Sequence, residues 1–517
     1  MQDRILNRSK RIAANTFLLY TRMLVVLLVS LYTSRMILQI LGVTDFGIYS
    51  VVGGIVVVFN VLSASMSEST SRFLSYSIGI GDSNKLRGYF HNAKFVYYIL
   101  GIITFLISIA VGLWLINNKL LIPSERINAA RIVLFCSVFT FVVKISNTPY
   151  TALIISNERM GFYATLGIIE VLFRLLSVLL LFLIKADSLI VYALFVTLEP
   201  FINKLFLKIY CKKQFNQVYH GKVIEYNRVL FKDMINFAGW DMLGALERIM
   251  QDQGVNIIIN FFCLPLVNSA RAIAMQIRNA VVQFSTNFQV AVNPQIVKSY
   301  AEGDRDYMLK LIFKSCKYSF YLLLLIICPL ITHTETILSI WLGQIPEHSV
   351  LFVRLVLLMI LSDAYYEIMN QGAKATGNIK VFRIITSSVS LMNLPIAYAA
   401  LSFGVIPEFT ILITISLNII VLIVQLLILR KQIQIDPLSF IKQVLLPNYL
   451  IAIIAVTLSL YTAELFNGNT YVIFIFHSIV STVFLTILVY CLGITHSERS
   501  MLKGFVINRI KKIKYKN

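Results

Sequence analysis

Carboxylates are scarce in this chain. Asp and Glu number 25 against 46 Lys and Arg in 517 residues, and charged residues make up only 14%. A soluble domain carries about 25%. Long hydrophilic stretches are missing too, which leaves no room for a water-soluble catalytic domain. The alternating polar and apolar residues of a membrane β-barrel strand are also absent. Cys136, Cys211, Cys263, Cys316, Cys328 and Cys491 show no paired spacing, so neither a disulfide framework nor a thiolate metal site is expected. The six histidines are scattered, without HisXXXHis or HisGluXXHis spacing. These absences argue against a metal centre, a bound cofactor and an enzyme. No cleavable signal is expected either, because the first hydrophobic run is too long and lacks a small-residue cleavage site.

What the chain does have is hydrophobic sequence, 58% of its residues. It falls into runs of the ~20 residues that an α-helix needs to cross a bilayer. Helices are expected because they satisfy their own backbone polar groups in hydrocarbon. Fourteen spans are expected, near 17–41, 47–70, 95–116, 132–155, 162–184, 189–207, 233–261, 266–296, 318–341, 350–373, 384–403, 406–429, 447–466 and 470–493. With the N-terminus placed in the cytoplasm, the inner segments hold 33 Lys and Arg and the outer loops 4. That bias puts both termini inside. The net charge of +21 then belongs to one membrane face, so nucleic acid is not an expected partner. The basic tail at 507–516 fits an anionic lipid surface, and it fits equally a simple determinant of topology.

The longest inner connection, 208–232, follows the sixth span. Gly81-Asp82 after the second span and Gly303-Asp304 after the eighth occupy matching places. Each then leads into a Lys-bearing, Tyr-rich entry to the next span. This pattern predicts two parallel six-helix repeats with two further helices, a known transporter arrangement. The expected boundaries are 1–210, 211–430 and 431–517.

Ionisable residues inside a span cost about 2.5–3.5 kcal/mol by insertion scales and usually face a partner or a wet cavity. Arg22, Lys144, Arg271 and Arg278 have no acid within their own spans. Glu170 and Arg174 are four apart and suited to pair with each other. In the seventh span Asp241, Arg248, Asp252, Asn256 and Asn260 form one helical stripe. In the eighth, Gln276, Asn279, Gln283 and Asn287 form another. A polar helix contact needs fewer groups than this, so the stripes predict a water-filled cavity. Asp363 and Glu367, together with Asp252, are candidate H⁺ or Na⁺ coupling residues. A plain salt bridge from Asp363 and Glu367 to Lys374 or Arg354 is the alternative.

Four segments carry a family likeness. They are LeuGlyValThrAspPheGlyIleTyr (41–49), AsnThrProTyrThrAlaLeuIleIleSerAsnGluArgMet (147–160), AlaArgAlaIleAlaMetGlnIleArgAsnAlaVal (270–281) and AlaValAsnProGlnIleValLysSerTyrAlaGluGlyAsp (291–304). The chain resembles the polysaccharide and oligosaccharide flippases that serve O-antigen and capsule assembly. Their superfamily also holds multidrug extruders. The resemblance implies an all-α polytopic fold of 14 transmembrane helices. Two six-helix lobes would form a V around a central cavity, with two C-terminal helices appended. It also implies a bacterial inner membrane, a polyprenyl-pyrophosphate-linked oligosaccharide as cargo, alternating access, and the polysaccharide polymerase machinery and membrane lipids as partners.

On that reading the pyrophosphate meets Arg22, Arg248, Arg271 or Arg278. Asn256, Gln276, Asn279, Gln283 and Asn287 meet sugar hydroxyls, being both donors and acceptors. Two rivals remain. A multidrug or cation extruder would share the architecture. A glycan polymerase or ligase would need a larger outer loop than 117–131 provides.

Overall fold

The computed structural model describes residues 2–57, 59–118, 120, 122–184, 186–219, 227–263, 265–465, 470–494 and 499. The basic tail at 507–516 lies outside them. The described chain is helical. The elements are α1 (Gln2–Val57), α2 (Asn60–Gly79), α3 (Ser83–Asn118), α4 (Ile127–Ser156), α5 (Met160–Leu181), α6 (Ser188–Gln214) and the short α7 (Asn216–Tyr219). Then come α8 (Arg228–Phe262), α9 (Pro265–Ala301), α10 (Arg305–Thr332), α11 (Thr334–Leu342), α12 (Ser349–Asp363) and α13 (Tyr366–Thr376). The remainder are α14 (Lys380–Leu391), α15 (Asn393–Ser402), α16 (Phe409–Ile433), α17 (Pro437–Phe440), α18 (Leu446–Leu465) and α19 (Thr470–Leu488).

The protein is a multi-pass membrane protein. Among the described residues, 11 helices are long and apolar enough to cross a bilayer, or 12 if the pair 45–56 and 60–79, bent by 50°, is one span. The two expected spans outside this set are α8 and α9. At 35 and 37 residues they are long enough, but their charges and amides lower their hydropathy. Helix ends run past the expected limits because hydropathy marks the apolar centre of a helix, whereas its hydrogen-bonded ends continue into polar sequence.

Glycines set two of the turns. Gly81 and Gly303 have φ of 71° and 79°, a region that glycine enters without steric cost. The Asp82 N–H donates to the Ser77 carbonyl at 3.1 Å, and the Asp304 N–H to the Ser299 carbonyl at 3.0 Å. The Gly-Asp pairs matched by sequence therefore end α2 and α9 with the same hydrogen bond. Gly79 and Ala301 also lie side by side, so that a Cβ on Gly79 would sit 2.6 Å from the Ala301 Cβ.

The chain packs as two compact units. Unit 1 comprises Met1–Leu246, Val290–Arg305 and Lys374–Arg383. Unit 2 comprises Glu247–Gln289, Asp306–Ala373 and Ile384–Asn517. In unit 1 a buried core of Val52, Val56, Val133, Leu134, Val138, Val178 and Leu189 joins α1, α4, α5 and α6. Arg126 reaches both Asp45 and Asp187, and the Asp187 carboxylate also caps α6 by accepting from the Leu189 and Ile190 N–H groups. In unit 2, Ala397, Ile413 and Leu417 form a small cluster between α15 and α16.

Unit 1 holds two further buried ion-pair groups. Glu158, 4% exposed, pairs with Lys298 and accepts from Gln295 Nε2 at 2.6 Å, with Arg11 Nε at 3.1 Å. Its φ is 58°, the left-handed region that L-residues enter only at a cost. Asp241 pairs with Arg383 and with Lys374 Nζ at 3.4 Å, and Lys374 also meets Glu68 at 3.1 Å. Replacing Glu158 with Gln removes the buried carboxylate that pairs with both Lys298 and Arg11. That should cost about 3–5 kcal/mol and lower the thermal unfolding midpoint of the detergent-solubilised protein. A midpoint equal to wild type would reject the pairing.

Candidate functional site

In unit 2 the polar residues of α8, α9 and α12–α13 converge. Two spans are interrupted here. α12 ends at Asp363 and α13 begins at Tyr366, while α14 ends at Leu391 and α15 begins at Asn393. A narrow cleft of about 40 Å³ lies among Arg248, Asp252, Arg271, Arg278, Asp363 and Asn418, with Glu247, Ser390 and Asn393 also lining it. A water needs roughly 10–15 Å³ of such space, so the cleft suits a few waters or a small ion and is too small for a sugar.

Asp363 is shared by two guanidinium groups. Its Oδ2 lies 3.9 Å from Arg248 Nη1 and 4.0 Å from Arg278 Nη2. Arg248 also stands 3.8 Å from Glu367 and stacks over the Tyr366 ring, 4.6 Å from its centroid. Arg278 Nη1 lies 3.8 Å from Asp252 Oδ2. These separations exceed a direct charge-assisted hydrogen bond of about 2.7–2.9 Å. Arg271 is held more tightly, donating to the Asn256 amide oxygen and, at 3.2 Å, to the Asp252 carbonyl.

Three of the four arginines expected to bind an anion, Arg248, Arg271 and Arg278, thus share one network with the residues expected to couple an ion. The expected partners of Asp363 and Glu367, Lys374 and Arg354, are engaged elsewhere. Lys374 pairs within unit 1, and Arg354 pairs with Glu335 at 3.4 Å. The expected stripe on α8 also divides, with Asp241 in the ion-pair group of unit 1 and Arg248, Asp252 and Asn256 in the network of unit 2. Glu247, Ser390, Asn393 and Asn418 are additions to the expected site that helix packing brings to the cleft.

α9 has two faces. Arg271, Ala274, Val281, Ser285 and Phe288 are buried, whereas Ala272, Gln276, Asn279, Ala280, Gln283 and Thr286 are exposed. From 267 to 301 this helix exposes no large hydrophobic side chain, whereas α16 exposes Ile419, Ile420, Ile423 and Leu427. Asn287 is half-buried and donates to the Gln283 carbonyl at 2.9 Å.

Arg22 lies apart from this network, in unit 1. It stacks over Tyr163, 4.5 Å from the ring centroid, and its Nε is buried without a hydrogen-bond partner among the described residues. Glu170 and Arg174 do not pair as their spacing suggested. Arg174 bonds Glu199 at 3.0 Å, and Glu170 accepts from the Asn203 amide. The neighbouring helix offers each a better-placed partner than its own helix face does. Unit 1 also contains a cavity of about 400 Å³ lined by Tyr49, Gly53, Gly54, Asn60, Ser137, Thr140 and Lys144, among others.

No family model matches the chain, and no curated protein matches it. Solved structures do. A MATE transporter in the bent conformation aligns with a TM-score of 0.70 at 14% identity, covering 83% of this chain and 96% of that one. An outward-facing multidrug resistance MATE family transporter of the MOP superfamily aligns at 0.68 and 14%, with the same coverage. A MOP superfamily transporter from Pyrococcus furiosus, whose binding pocket has a reversed polarity that suggests a different function for that protein, aligns at 0.69 and 13%, covering 84% and 96%. The chain has the fold of the MATE transporters of the MOP superfamily.

Proposed function

We propose that this protein is a transporter that flips a polyprenyl-pyrophosphate-linked oligosaccharide across the bacterial inner membrane by alternating access, for surface polysaccharide assembly. The observation that carries this reading is the exposed face of α9, made only of amide, hydroxyl and small side chains. Hydrocarbon gives such amides no hydrogen-bond partners, and burying one unpaired costs several kcal/mol. Facing an aqueous space, Gln276, Asn279 and Gln283 each offer a donor and an acceptor to sugar hydroxyls.

The charge network of unit 2 serves coupling on this reading. Asp252, Asp363 and Glu367 restrain Arg248 and Arg278 at distances near 4 Å. A proton or Na⁺ arriving at the carboxylates weakens that restraint and lets the arginines shift, so that ion binding changes the packing of α8 and α9 against α12.

A second reading has its own support. The same carboxylates, with Glu247 in the cleft wall, suit a cationic cargo, and the MATE fold matches a multidrug resistance transporter. Inverted membrane vesicles separate the two. Translocation of a lipid-linked oligosaccharide without ethidium uptake supports flipping, and ethidium uptake without glycan movement rejects it. The triple substitution Gln276→Leu, Asn279→Leu and Gln283→Leu should reduce glycan translocation by about tenfold or more, since each lost hydrogen bond is worth roughly 0.5–1.5 kcal/mol. Asp363→Asn should remove the dependence of transport on the ion gradient. Its effect on the unfolding midpoint should be non-additive with that of Arg278→Gln, with a coupling of about 0.5–3 kcal/mol. Strict additivity would separate these residues.

A further inference from the structure

Lys144 stands in α4 near the middle of the membrane-length helix Ser124–Ser156. Four residues past the midpoint is about 6 Å at 1.5 Å per residue, well inside a hydrocarbon layer about 30 Å thick. Of the arginines in the charge network of unit 2, Arg248 and Arg278 each have a carboxylate within 4 Å, and Arg271 has an amide and a carbonyl bonded to it. Lys144 has neither an ion pair nor a hydrogen bond among the described residues. Glu170, whose carboxyl feels the charge of Lys144, is itself bonded to Asn203.

The lysine lines the 400 Å³ cavity of unit 1. The other polar groups there are neutral: Tyr49, Asn60, Ser137 and Thr140. Asn60 and Ser137 likewise have no hydrogen-bond partner among the described residues. Gly53 and Gly54 keep one wall open. A Cβ on Gly53 would meet only Ser137 Oγ at 3.9 Å, and one on Gly54 would meet nothing within 4 Å. A mid-membrane ammonium beside unpaired hydroxyl and amide donors, with no carboxylate in the wall, has the chemistry of an anion site. Pockets of 300–1,000 Å³ are the usual size for small ligands (about this range in general surveys).

We propose that this cavity binds the phosphate or pyrophosphate group of the cargo, with Lys144 as the anchoring cation and Ser137 and Asn60 as neutral donors. The inference rests on the flippase reading for the identity of the cargo and on unit 1 alone for the existence of the site. It assigns the anion to unit 1 and leaves the arginines of unit 2 to ion coupling.

The test is binding to the purified full-length protein in detergent. Inorganic pyrophosphate and a short-chain prenyl pyrophosphate are the probes, with the uncharged prenol as control. Wild type should bind both phosphates and not the prenol. Lys144→Met should weaken binding by about tenfold or more, the loss of a charge-assisted contact, and Lys144→Arg should restore most of it. Because Lys144 makes no ion pair or hydrogen bond among the described residues, Lys144→Met should unfold at the same temperature as wild type or higher. A merely structural lysine would lower it. Gly54→Leu, which fills the space and keeps the charge, should also weaken binding.

Tighter binding of the prenyl form identifies a lipid headgroup as the source, and equal binding identifies a free anion; both uphold the site. Unchanged affinity in Lys144→Met overturns it, as does failure of wild type to bind either phosphate. The vesicle assay keeps the two readings apart. Glycan translocation that is normal in Lys144→Met rejects the anion site and leaves the flippase standing. Ethidium transport alone rejects the flippase, while phosphate binding that depends on Lys144 still upholds the site.

Discussion

A charge inside a membrane must be neutralised, hydrated or withdrawn, and the organisation of this protein follows from how each of its charges meets that demand. In unit 1, Glu158 with Lys298, and Asp241 with Arg383 and Lys374, are neutralised by close, buried partners. In unit 2 the pairing is looser, with two arginines and three carboxylates held 3.8–4.0 Å apart around a cleft that admits water. Close pairs resist rearrangement because breaking one leaves a charge buried alone. Loose pairs with room for water do not carry that full penalty, which makes the second arrangement the better element for a conformational cycle.

α9 brings these roles together in one helix. Its buried face carries Arg271 and Arg278 into the charge network, and its exposed face carries the amides. Toward its end, Gln295 and Lys298 bind Glu158, and the Gly303 turn closes it. A shift of this helix would therefore touch the network, the amide row and the Glu158 pairing at once. Like α8, it falls short of the apolar content of a membrane span, because charges and amides occupy positions that a lipid-exposed helix would fill with leucine and isoleucine.

The four segments that carry the family likeness each acquire a physical role. Asp45 of the first bonds Arg126, and Tyr49 of the same segment lines the cavity beside Lys144. The second and fourth meet where Glu158 binds Gln295 and Lys298. The third supplies Arg271 and Arg278 to the cleft.

The amino-acid sequence by itself determined the helical, membrane-crossing character of the chain, since continuous apolar runs of bilayer length have one stable way to satisfy their backbone. It also determined the equivalent Gly-Asp turns, because a left-handed glycine ending a helix is a local requirement. The partners of the intramembrane charges were decided by tertiary structure alone. Glu170 and Arg174 sit at ideal spacing on one helix and yet bind Asn203 and Glu199 on another. Asp363 finds Arg248 and Arg278, and Glu158 finds Lys298 across 140 residues of chain. Pairing depends on distance in space at low dielectric, and helix packing sets that distance without leaving a mark in the spacing of residues along the chain.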